Sequence, residues 1–69
     1  MKISYDPDVD AMTIVFQKGK YDISKEIVEG IIIDYTKEGK VLSIEILEAS
    51  KRMPTKSIED ITVSVPVAT

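Results

Sequence analysis

Apolar side chains recur at every second position in short runs along this chain. That period, more than any other feature, limits what it can fold into. Ile3 and Tyr5 alternate with Lys2 and Ser4, and Met12, Ile14 and Phe16 with Ala11, Thr13 and Val15. Tyr21, Ile23 and Ile27 alternate with Asp22, Ser24 and Glu26, with Lys25 breaking the apolar row. Leu42, Ile44 and Ile46 alternate with Val41, Ser43 and Glu45. Neighbouring side chains of a strand point to opposite faces, so such runs build a sheet with one apolar side. Isoleucine and valine dominate, and their branched side chains suit a pleated surface.

The breaks between runs carry turn chemistry. In Asp6-Pro7-Asp8, proline fixes its own φ and the flanking carboxylates can accept bonds from nearby N–H groups. Lys18-Gly19 and Glu29-Gly30 can each supply a positive φ for a hairpin, and Thr36-Lys37-Glu38-Gly39 fits a four-residue loop with Gly39 left-handed. If that loop sets Tyr35 against Lys40, then Ile33 faces Leu42, Ile31 faces Ile44 and Asp34 faces Val41. A two-residue loop at Glu29-Gly30 pairs Ile27 with Ile32, which puts Ile31 and Ile33 on the other face unless a bulge intervenes. Beyond the strands, Glu48 to Met53 suits a short helix that Pro54 ends, and Ser57 reads as the cap of another helical turn. Ile61, Val63, Val65 and Val67 alternate again, a further strand that Pro66 confines to an edge or a sheet end. The expected fold is α+β and mainly β: an antiparallel meander of about five strands over residues 2–48, a short helix and an extra C-terminal strand.

The chain has 69 residues and is read as a single small domain, 1–69, near the lower limit of independent stability. Small domains are usually stapled by disulfides, metals or association. There is no cysteine, which excludes disulfides, zinc–thiolate sites and cysteine catalysis, and no histidine, which removes the commonest general base and metal ligand. Association remains, and a homodimer is expected, packed face to face or joined at an edge. Val15, Phe16, Ile32, Val41 and Leu47 are the candidates for its interface or for burial on the second face. The other solution is a monomer whose tail, Ile61 to Val67, folds back over the sheet.

The net charge is −3 and the basic residues are scattered, without the stripe that phosphate neutralisation wants, so nucleic acid is not an expected partner. The longest apolar run, Ile31-Ile32-Ile33, is far short of a membrane span of ~20 residues. Met1-Lys2-Ile3-Ser4-Tyr5 enters strand pattern with no secretory core, so a cytoplasmic location is expected.

Asp6, Asp8 and Asp10 stand at alternate positions, like the first carboxylates of an EF-hand loop. Counted from Asp6, the position that needs glycine holds Ala11, the position that needs a bidentate carboxylate holds Gln17, and the flanks alternate like strands. The stretch therefore reads as a turn. Asp34 and Glu45 read as solvated charges. Ser50 has no histidine to activate it, only Lys51 or Lys56, and no glycine elbow, so it reads as a cap or a solvent-facing hydroxyl. No catalytic, cofactor-binding or metal-ligating residue is assigned, and no cofactor is expected.

Several stretches nevertheless resemble one family. They are Tyr5-Asp6-Pro7, Asp10-Ala11-Met12-Thr13-Ile14-Val15-Phe16, Gly30 to Tyr35, Gly39-Lys40-Val41 and Ile44 to Ser50. They are similar to a widespread set of small prokaryotic proteins catalogued only as a domain of unknown function, with a "YD..DALYI.F" opening and a "G...DYD..G...GIEIL.AS" body. The resemblance covers residues 1 to about 52. It implies a small antiparallel sheet followed by helix and brings no activity, cofactor or catalytic residue. Members sometimes accompany small toxin-like proteins, which implies an antitoxin-like or partner-binding role. Ser43 stands where the family has glycine, and the strand-like tail departs from the helical tail expected.

Two functions follow. The first is a non-enzymatic homodimeric interaction module, in one form antitoxin-like, with an acidic surface suited to a basic protein partner. The second is a small enzyme or ligand-binding protein with a site at the subunit interface, built from Asp10, Asp34, Tyr35, Glu45 and Arg52. Convergence of those five residues in one pocket separates the two.

Overall fold

The computed structural model describes residues 1–60. Five antiparallel strands, β1 (Lys2–Asp6), β2 (Ala11–Val15), β3 (Ile23–Val28), β4 (Ile31–Tyr35) and β5 (Val41–Ile46), form one sheet. Two short helices follow, α1 (Ala49–Arg52) and α2 (Thr55–Glu59). This is the mainly β, α+β class that the alternation implies. The expected strand over Ile61 to Val67 lies outside the described residues.

The spatial order β1-β2-β5-β4-β3 corrects the sequential order of a meander. β3, β4 and β5 do run as consecutive hairpins, but β2 pairs with β5 and not with β3. The more apolar strands β4 and β5 thereby become interior, and β3, which carries Lys25 and Glu26, goes to the edge. Residues 16–22 make the crossing. Phe16 donates its N–H to the Leu42 carbonyl at 2.8 Å, and Asp22 donates to the Tyr35 carbonyl at 3.3 Å. Lys18-Gly19 is therefore not a hairpin turn. Its glycine answers a close approach: a Cβ at Gly19 would lie 2.8 Å from Leu42 Cδ2.

Two bulges decide which residues share a face. Ile27 is the extra residue of β3, between the Glu26–Ile32 pair and the Val28–Ile31 pair, which returns Val28 to the face of Ile31. In β5 the register shifts at Leu42: Tyr35 faces Val41, while Asp34 faces Ser43. Ile33 therefore faces Ile44, and Ile31 faces Ile46, two residues on from the register expected. The cause is the loop, which closes on a Thr36 N–H to Lys40 carbonyl bond of 2.9 Å instead of a Tyr35–Lys40 pair. A shift of two preserves the face, so isoleucine still meets isoleucine. Gly39 takes φ +87°, as that loop requires.

The resulting sheet is strongly two-sided. One face carries Ile3 and Tyr5, Met12 and Ile14, Ile44 and Ile46, Ile31 and Ile33, with Lys25 of β3 among them. The other carries Ser4, Thr13, Ser43, Glu45, Asp34 and Ser24, with Val15 and Ile32. Among the described residues only Ala11, Met12, Leu42 and Ala49 are buried apolar groups, and the isoleucines of the apolar face are half-buried.

Helix α1 ends at Met53, which is extended, and Pro54 holds φ −61°, ψ 142°. α2 then starts with Pro54 in the cap position and Ser57 donating its N–H to the Pro54 carbonyl at 2.9 Å. Ser57 is thus inside the helix and is not its cap. Proline fixes the φ of the entry and offers no side-chain acceptor, so α2 starts without a side-chain cap.

Candidate functional site

The Asp6–Asp10 stretch is a turn, and its Asp6 and Asp10 carboxylates accept hydrogen bonds from within the protein. Asp8 donates its N–H to Asp6 Oδ1 at 3.0 Å, closing an Asx turn. Asp10 sits in the left-handed region, φ 53°, which aspartate tolerates better than most residues. That conformation aims its carboxylate away from the turn and towards the start of α1. Tyr5 Oη donates to Asp10 Oδ1 at 2.7 Å, Ser50 Oγ donates to Asp10 Oδ2 at 2.6 Å, and the Ser50 N–H adds a bond of 3.1 Å. The Ala49 N–H donates to the Asp10 carbonyl at 2.9 Å, and Ala49 is fully buried.

A second tie lies on the other side of β5. The Leu47 N–H bonds the Gly30 carbonyl at 2.8 Å. Arg52 donates Nε to the Leu47 carbonyl at 3.1 Å and Nη2 to the Glu29 carbonyl. The central strand thus leaves the sheet between two turns and is bonded to both, through Asp10 on one side and Gly30 with Arg52 on the other. Around Arg52 runs an open groove of about 360 Å³ lined by Glu26, Glu29, Gly30, Leu47 and Glu48.

The electrostatics suit a latch. The Ser50 hydroxyl, and then the Tyr5 hydroxyl, hold the Asp10 carboxyl below the usual carboxylate range. The same bond from Tyr5 to Asp10 raises the Tyr5 phenol above its ordinary value. A carboxylate made less basic is a poor proton acceptor, and a serine that donates to it lacks the imidazole a nucleophile would use.

The other sequence candidates are dispersed. Asp34 accepts from Ser24 Oγ at 2.7 Å and Ser43 Oγ at 2.8 Å, a polar row across three strands. Ser43 is thus the second of those two donors. Glu45 faces Thr13 and Ile32, and Tyr35 lies at the far end of β4 from the Glu29-Gly30 turn. Asp10, Asp34, Tyr35, Glu45 and Arg52 therefore do not share one pocket. Of the interface candidates, Val15 and Ile32 lie on the polar face, Val41 faces Tyr35, Phe16 is exposed and Leu47 lines the Arg52 groove. The continuous apolar face is made by the isoleucines instead. Among the described residues there is no group of three or more acidic side chains arranged to hold a metal ion.

The pattern defining the family described as "Protein of unknown function (DUF2283)" matches residues 2–50. The chain belongs to that family. The match takes in the whole sheet and ends at Ser50, the residue whose hydroxyl closes the Asp10 latch. The family fixes no activity. No curated protein and no solved structure matches the chain. Among the described residues no helix is long and apolar enough to cross a membrane.

Tyr5, Asp10, Ala49 and Ser50 all stand in the stretches that resemble the family, but nothing in the sequence joins them. The join spans 40 residues of sequence, and no local pattern carries it.

Proposed function

We propose that this member of the family is a non-enzymatic homodimeric interaction module of the cytoplasm whose subunits meet through the isoleucine face of the sheet. The observation that carries the reading is the face itself. Ile3, Ile14, Ile31, Ile33, Ile44 and Ile46 lie on one side of a single sheet and stay half-exposed. Burying apolar area is favourable by roughly 25 cal/mol per Å², and a chain with four buried apolar residues among those described has little other core. Dispersal of the five polar candidates supports an interaction role over a site at the interface. The net charge of −3 per chain favours a basic protein as further partner, which is the antitoxin-like form of the reading.

The test is placement of a charge on each face. Ile33→Glu and, at the edge strand, Ile3→Glu are expected to give monomers by analytical ultracentrifugation, while Ser4→Glu on the polar face leaves the dimer intact. Circular dichroism on each variant separates dissociation from unfolding. A dimer that survives both isoleucine substitutions in folded protein contradicts the proposal.

A further inference from the structure

Strand β3 is the outermost strand on its side, and all its residues are exposed. Ile23, Ile27 and Val28 are 39%, 51% and 53% exposed. An edge of this kind is a ready template for a second strand. We infer that Lys25, Glu26 and the Ile27 bulge close this edge to pairing with a second copy, so that copies of the chain cannot add to one another through β3.

The argument is one of register. In an antiparallel pair, residues directly opposite each other project from the same face. A strand paired with its own copy about a two-fold axis must therefore set some residue against itself. The two registers centred on β3 set Lys25 against Lys25 or Glu26 against Glu26, and like charges directly opposite are destabilising. The register that would match Lys25 with Glu26 is barred, because Lys25 shares a face with Ile33 and Glu26 shares the opposite face with Ile32. Lys25 is also the one charged residue that the strand pairing places on the apolar face, so any added strand lies beside an ammonium group amid isoleucines. The bulge between Glu26 and Val28 interrupts the ladder just where the remaining apolar residues of the strand begin.

The test is removal of the guard. Lys25→Val, and as a second variant the pair Lys25→Thr with Glu26→Thr, are compared with the unsubstituted chain by light scattering across a concentration series. Both positions are exposed, so folding is retained. Either variant is expected at least to double the weight-average mass relative to the unsubstituted chain at the same high concentration. The inference does not depend on the face dimer, and the pattern of growth separates the two. If the face pairs, an opened edge gives open-ended growth; if it does not, the edge gives doubling from monomer that survives an added Ile3→Glu, whereas doubling through the isoleucine face, on which Lys25 also lies, is lost on adding that charge. Lys37→Val, in the Thr36–Gly39 loop, removes the same charge away from β3 and is expected to leave the mass unchanged. Unchanged mass in both β3 variants, or equal growth in Lys37→Val, overturns the inference.

Discussion

Asp10 links the first turn of this chain to its first helix. Its left-handed backbone, its two acceptor oxygens and its carbonyl tie a hairpin turn to a helix 40 residues on. Because its carboxyl is held below the usual range, Asp10 contributes stability that is complete above its unfolded value, about 4. That contribution is lost as pH falls through the lower folded value. Tyr5, raised, contributes below about 10 and loses that contribution as pH rises through its folded value. The latch is therefore expected to hold from mildly acid to mildly alkaline solution. Asp10→Asn keeps a residue that accepts the left-handed conformation while removing the charge. Thermal melts should show a lower Tm than the unsubstituted chain at neutral pH, with the gap narrowing as the pH is taken towards 3. A gap that stays constant would mean that the carboxylate is not the tie. Gly30 has φ +83°, and a Cβ there would lie 2.5 Å from Arg52 Nη2. Gly30→Ala should cost about 1–2 kcal/mol from the backbone alone, read by urea unfolding.

At the scale of elements, the strands were legible because alternation is a local property. The turns at Asp6–Asp10, Glu29-Gly30 and Thr36–Gly39 were legible because proline, aspartate and glycine act there through their own backbones. The strand order was not. Lys18-Gly19 has the composition of a hairpin turn, yet its glycine serves a tertiary contact with Leu42 that leaves no local trace. The bulges at Ile27 and Leu42 were hidden for a related reason: in Ile31-Ile32-Ile33 every register sets an isoleucine on each face, so the sequence alone leaves the pairing open. The latch was half legible, since its residues stand in the family-like stretches but their meeting depends on β5 leaving the sheet between two turns. Met12 and Leu42, 5% and 7% exposed, anchor these elements. Met12→Ala should cost about 2–5 kcal/mol, a large share of the stability of so small a domain. Unfolding of that variant at unchanged urea midpoint would show that Met12 is not core.

For the whole molecule, the two faces assign the roles. The polar face, with Asp34 bonded by Ser24 and Ser43, suits water. The isoleucine face suits a second apolar surface, with Lys25 at its β3 margin. The association expected from the missing cysteine and histidine is proposed to use the isoleucine face, while Val15 and Ile32 of the sequence candidates lie on the second face. The measurement that tests the central claim most directly is solution mass by light scattering, on a dilution series from high to low micromolar concentration. The account expects a mass near twice the 7.7 kDa of one chain at high concentration, falling towards a single chain only on dilution. A folded protein that holds the mass of one chain throughout would contradict it.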